Sequence, residues 1–249
     1  MTKRNRLACK AALLGGIAFA AAPVLAAEVT SERLINADKE PQNWLMNHRT
    51  YDGQRFSPLD RINKSSVKGL KLAYAVALGG TSNNENLEAT PLVEDGFMYM
   101  VDLWGIVYKI DVRSGDAGRI VWRMNPKQAK VANANRGVAL WGNYVISSAS
   151  YPPRIIASDK DSGKVVWETN LSTDQAEVAI TAAPLAVKDK IIVGASGGDR
   201  GVRDFIAGLD AATGKQLWLK YTIPAPGEPG SETWKDKNNA WQTGGGAVW

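Results

Sequence analysis

Apolar and polar residues along this chain fall into short runs, alternating or wholly apolar, separated by turn-forming residues. No stretch keeps a helical spacing of apolar positions for long enough to compete. The runs gather in fours. LEATPLV, FMYMV, IVYKID and RIVW lie at about 87–122, and GVALWG, YVISSA, RIIASD and KVVW at about 137–167. ITAAPLAV, KIIVGAS, FIAGLD and KQLWLKY lie at about 180–221. Each group predicts a four-stranded antiparallel sheet. KGLKLAYAVAL (68–78) predicts a solitary strand before the first group, with Tyr74 where the other units place tryptophan.

The last turn of each group is a repeat: DVRSGDAGRIVW (111–122), DKDSGKVVW (159–167) and DAATGKQLW (210–218). The leading residues Asp111, Asp159 and Asp210 are 48 and 51 positions apart, which marks a repeat architecture. In each copy the aspartate and the Ser or Thr hydroxyl suit turn amides, and the glycine tolerates positive φ. The tryptophan that follows offers a broad plate for packing on a neighbouring repeat. Such units predict an all-β fold, a partial β-propeller of four-stranded blades with tryptophan-docking turns. A solenoid with longer repeats is the alternative.

The amino terminus does not belong to this pattern. Lys3, Arg4, Arg6 and Lys10 precede an apolar run from Ala11 to Ala22, and Pro23 to Ala27 supply a small-residue cleavage site. Residues 1–27 are expected to be a secretory signal peptide, and residues 28–249 about three complete blades with flanking strands, cut short at Trp249. No later run reaches the roughly 18 apolar residues of a membrane span, so a periplasmic protein without a span is expected. The formal charge of +5 falls to +1 without the four basic residues of the leader, and no basic run remains to hold nucleic acid. Cys9, the one cysteine, leaves with the leader, which excludes an internal disulfide, a thiolate metal site and a CxxCH haem attachment within residues 28–249.

Propeller geometry gives the repeat a functional side. If the first strand of each blade is innermost, the residues that open these strands ring the axis at one face, and the loop between second and third strands returns there. Those positions hold Glu88, Arg136, Thr181, Ser196, Gly197, Gly198, Asp199 and, beginning a fourth inner strand, Trp249. Arg136 can clamp a carboxylate or quinone oxygen, and Thr181 and Ser196 can donate to further oxygens. Gly197 and Gly198 let backbone approach a flat ligand. Trp249 offers a stacking floor, with the preceding glycines clearing space. Asp199 presents a hard oxygen to a cation such as Ca²⁺. His48, the one histidine, has no partner suggested by the sequence.

These residues stand in longer motifs. NHRTYDGQRFSPLDRIN (47–63), EATPLVEDGFMYM, NRGVA, ITAAPLAVKDKIIVGASGGDRGVRD and GGGAVW resemble the amino-terminal half of the pyrroloquinoline quinone (PQQ)-dependent alcohol dehydrogenases, the methanol and ethanol dehydrogenase group. The resemblance implies an eight-bladed propeller in a chain about twice as long. It makes Glu88, Arg136, Thr181, Ser196, Gly197, Gly198 and Trp249 contacts of the quinone and Asp199 a ligand of Ca²⁺ or a lanthanide. It implies an alcohol substrate, a cytochrome c acceptor, and a catalytic base beyond residue 249. The chain departs from the family in three places. Lys130 and Val131 stand where many members carry adjacent cysteines, Asp199 where glutamate is usual, and Ala247 where many have a cofactor-bonding threonine. A sugar-oxidising quinoprotein and a non-catalytic propeller scaffold, such as one serving outer-membrane assembly, are the alternatives.

Overall fold

Twelve strands build three four-stranded antiparallel sheets among the residues that this computed structural model describes, 27–78, 87–129, 134–171, 173–235 and 238–248. The first sheet holds β1 (Leu92–Glu94), β2 (Phe97–Val101), β3 (Val107–Asp111) and β4 (Arg119–Met124). The second holds β5 (Ala139–Trp141), β6 (Tyr144–Ser150), β7 (Pro153–Asp159) and β8 (Val165–Asn170). The third holds β9 (Leu185–Val187), β10 (Lys190–Gly194), β11 (Phe205–Asp210) and β12 (Gln216–Tyr221). In each sheet the strands follow in chain order, the meander of a propeller blade. The predicted solitary strand is not one: after a 3₁₀ turn at Val67–Gly69, residues 70–78 run without a ladder partner among the described residues. Tyr74 and Val76 nevertheless lie against Gly118, at the turn of the first blade.

The repeat turns close as their chemistry dictates. Asp159 Oδ1 accepts from the Ser162 amide and hydroxyl at 2.7 and 2.6 Å, and Asp210 Oδ1 from those of Thr213 at 2.8 and 2.7 Å. The first turn is longer by three residues and closes differently. Asp111 is held by the Arg113 amide and guanidinium, while Ser114 bonds Ala117. Gly115, Gly163 and Gly214 occupy the left-handed region at φ +77°, +72° and +74° in all three.

A shared irregularity then aims the tryptophans. Opposite Lys109, Ala157 and Gly208, each two residues before the turn aspartate, the outer strand pair shifts register, and Trp122, Trp167 and Trp218 stand at that step. One residue is left over on the outer strand each time, Val121, Val166 and Leu217, and all three are exposed. Trp122 donates its indole N–H to the Lys160 carbonyl of the second blade at 3.1 Å and covers Gly163. Trp167 does the same to the Ala211 carbonyl of the third blade at 3.2 Å and covers Gly214. Trp218 folds over Gly208 of its own blade and stays 40% exposed.

The core runs continuously between the blades through side chains such as Tyr99, Leu140, Ile155, Ile180 and Phe205. The amino-terminal segment is sewn to it. Val29 bridges Gly142, Trp44 bridges Val93, and Arg33 of helix α1 (Ser31–Ile35) pairs with Glu94 at 2.7 Å. Glu94 also pairs with fully buried Lys160 at 2.7 Å, so a charged cluster joins the first blade, the second blade and the segment before them.

Candidate functional site

Backbone hydrogen bonds link the openings of successive inner strands. The Thr90 amide donates to the Arg136 carbonyl at 3.1 Å, and the Arg136 amide donates to the Thr181 carbonyl at 3.1 Å. Asn47 adds a side-chain bond to the same Arg136 carbonyl at 3.0 Å. Residues 89 positions apart in sequence therefore hold one peptide in place. The Arg136 guanidinium turns to Glu88 at 3.4 Å and to the Thr181 carbonyl at 3.3 Å. Both partners of the Glu88 pair are partly exposed, 40% and 27%, so the pair stabilises the fold by well under 1 kcal/mol.

Next in the series, Thr181 donates its hydroxyl to Ser196 Oγ at 3.1 Å, and Ser196 donates to the Ala179 carbonyl at 3.3 Å. Both side chains are buried. Ala179 and Ser196 also exchange backbone bonds of 2.8 Å in each direction. These hydroxyl protons are already committed, so donating to another oxygen requires a change of rotor rather than a vacant bond.

The loop between β10 and β11 then folds back beside them. Gly197 adopts φ +137°, where a side chain would strike Val202 and the Glu177 carbonyl, so only glycine fits. The Gly197 carbonyl accepts from the Arg200 and Val202 amides. Gly198 abuts Gly245, whose Cα would lie 2.7 Å from any Cβ on Gly198. Gly245 and Gly246 both stand at φ +83°, so their backbone conformation and this close approach account for two residues of the glycine run. Val248 donates its amide to Ala195 at 3.0 Å and packs on Gly194. Trp249, the expected floor, lies outside the described residues, as do Lys130 and Val131 and the leader up to residue 26. Asp199 is exposed and makes no hydrogen bond or ion pair among the described residues.

Sequence reading gave no role to Asp204, five residues on in the same loop. It is fully buried, and neither carboxylate oxygen has a hydrogen-bond partner. Burial pushes its carboxyl above the ordinary carboxylate range. The Gly198 amide dipole and Arg200 oppose this without closing a hydrogen bond, and Asp199 adds to it. No cluster of three or more His, Cys, Asp or Glu able to hold a metal occurs among the described residues. The supporting arginine was also unforeseen. Arg203, 8% exposed, bonds the Ile223 carbonyl and Glu228, and lies over the rings of Tyr221 and Trp241. Gln175 clasps its backbone on both sides. His48, given no role, sits 2.7 Å from the Arg55 guanidinium.

Three blades, joined by the docked Trp122 and Trp167, whose inner strands open onto one polar face define a section of a β-propeller. The chain belongs to the PQQ family described as glucose/ethanol/alcohol dehydrogenase, beta-propeller domain, whose profile matches residues 44–249. It is 36% identical to the dehydrogenase subunit of the quinone alcohol dehydrogenase of Gluconacetobacter polyoxogenes, over 96% of this chain and 35% of that protein. With the quinohemoprotein alcohol dehydrogenase ADH-IIG of Pseudomonas putida it shares 35% identity, over 94% of this chain and 34% of that one. The fold superposes on the quinohemoprotein alcohol dehydrogenase of Comamonas testosteroni with TM-score 0.76 and 34% identity, covering 89% of this chain and 35% of that one. A europium-containing methanol dehydrogenase gives TM-score 0.76 at 30% identity, covering 88% and 41%. The chain thus spans about a third of the length of the curated relatives it matches.

Proposed function

We propose that the whole protein to which this chain belongs oxidises a primary or secondary alcohol with PQQ and a Ca²⁺ or lanthanide ion, outside the cytoplasm, and passes the electrons to a cytochrome c. One observation carries this reading. Arg136, Thr181, Ser196, Gly197 and Gly198 come from two blades and meet in one unbroken series of contacts, with Asp199 beside them. The fit to the cofactor is physical. A planar anion needs a guanidinium, hydroxyls and close backbone, and a cation needs hard oxygen; Asp204 adds a buried carboxylate with no partner of its own.

When bound, the quinone would supply a hydride acceptor for the alcohol carbon, and the ion Lewis acidity toward it. In this assignment Arg136 binds a cofactor carboxylate or carbonyl, and its ion-pair partner Glu88 contacts the cofactor beside it. Thr181 turns its hydroxyl from Ser196 to the ligand, and Ser196 stays anchored on Ala179. Gly197 and Gly198 keep side chains out of the ligand plane, and Asp199 holds the ion. The family resemblance would give Trp249 the role of a stacking partner for the ring system, with the catalytic base in another part of the protein. Ala247 offers no donor, which leaves Arg136 a larger share of binding.

The test is reconstitution of the intact protein with PQQ plus Ca²⁺ or La³⁺ and assay of dye-linked ethanol oxidation. Activity that requires both, and that Asp199→Ala abolishes together with ion binding, is the expected result. Full activity without quinone, or full ion affinity in Asp199→Ala, overturns the reading.

A further inference from the structure

We infer that Asp204 is a second carboxylate ligand of the cation site that Asp199 opens, an assignment that rests on the quinone-and-ion reading above.

The case starts from an unpaired acid. Asp204 is 0% exposed and both of its oxygens lack a hydrogen-bond partner. An ionised carboxylate so placed is costly unless a cation meets it. The cations of the same loop are already engaged. Arg200 lies 40% exposed and faces Glu177, reaching its carbonyl at 3.3 Å and its carboxylate at 3.7 Å. Arg203 bonds Glu228 at 2.6 Å and stacks on Tyr221. No Lys, Arg or His forms an ion pair with Asp204 among the described residues.

The direction of the carboxylate is the second observation. Asp204 Oδ2 lies 3.1 Å from the point that a Cβ on Gly198 would occupy, so the acid aims at the backbone immediately before Asp199. Glycine at 198 leaves that space to the carboxylate, and any other residue would fill it. The position is also held firmly. The Asp204 amide donates to the Gly245 carbonyl at 3.1 Å, and its carbonyl accepts from the Thr222 amide at 3.0 Å and hydroxyl at 2.9 Å. A hard ion that takes six to eight oxygens would meet two acids of this loop, the exposed Asp199 at its middle and the buried Asp204 at its end, whose carboxylate reaches back to Gly198.

Titrating the intact metal-free protein with Tb³⁺, read by luminescence, tests the assignment on wild type, Asp199→Asn, Asp204→Asn and Asp204→Ala. Asp204→Ala should weaken Tb³⁺ binding about tenfold or more and add about one coordinated water, judged from lifetimes in H₂O and D₂O. Asp204→Asn, which keeps an oxygen, should lose less. The metal-free Asp204→Asn protein should melt at or above the wild-type temperature, because an unpaired buried charge has been removed. Wild-type Tb³⁺ affinity in both Asp204 variants overturns this inference while leaving Asp199 in place if Asp199→Asn still loses binding. A lower melting temperature of metal-free Asp204→Asn with unchanged affinity also overturns it, since the acid then only braces the loop. Wild-type affinity in all three variants removes the cation site altogether, and the quinone-and-ion reading with it.

Discussion

The indole of Trp167 covers Gly214 of the next blade so closely that a methyl group on that glycine would stand 2.4 Å from Cε3. Trp122 covers Gly163 in the same way, at 2.6 Å from Cδ2. Gly115, in the corresponding place of the first turn, has nothing within 4 Å. All three share positive φ, so alanine costs each about 1–2 kcal/mol of backbone strain. Only at 163 and 214 must an indole also move. Chemical denaturation should therefore rank Gly163→Ala and Gly214→Ala as clearly more destabilising than Gly115→Ala. Equal losses at the three positions would deny the docking its energetic role.

The buried hydroxyl pair makes a directional prediction. Ser196→Ala leaves the Thr181 hydroxyl without its acceptor, whereas Thr181→Val removes the donor and leaves Ser196 bonded to Ala179. Ser196→Ala should cost about 1–3 kcal/mol and Thr181→Val less. The double variant should be less destabilised than the sum of the two, a coupling that a double-mutant cycle measures.

Arg136 separates stability from binding. Because its pair with Glu88 is exposed and long, Glu88→Gln should shift stability by less than about 0.5 kcal/mol. Arg136→Ala should lower affinity for PQQ about tenfold or more in the intact protein, with lysine restoring only part of it because the planar fork is lost. Equilibrium dialysis of the free quinone measures both.

Acid sensitivity follows from the repeat turns. The Thr213 hydroxyl and amide hold the Asp210 carboxyl below the ordinary carboxylate range. A lowered folded value means that the turn contributes stability above the unfolded carboxylate pKa, near 3.9, and loses it as pH falls through the folded value. Stability measured from pH 5 down to pH 2 should fall less steeply for Thr213→Ala than for wild type.

Much of this was legible because the fold is repetitive. Three tryptophans, each with an aspartate- and glycine-bearing turn ahead of it, reveal four-stranded units, and the order of strands in each unit follows from short connections. Tyr74 stands where the repeat places tryptophan, and it does pack at the first blade's turn, at Gly118, but its segment has no ladder partner among the described residues. Counting residues to the start of each inner strand also brought Arg136 to Thr181, because backbone geometry alone fixes that meeting. Asp204 was hidden for the opposite reason. In sequence it is one more charged residue beside Arg203, and only three-dimensional packing distinguishes an acid with no partner from one in solvent. The Asn47 bond to Arg136 was hidden too, since nothing local in either residue announces a contact across 89 positions.

The leftover residues Val121, Val166 and Leu217 have a consequence at the outer rim. Each lies on the strand that ends its sheet, where a flat row of amides and carbonyls would template pairing with a stranger. The kink that turns an indole toward its neighbour also spoils that template, so the device that joins blade to blade keeps one molecule from zipping onto another.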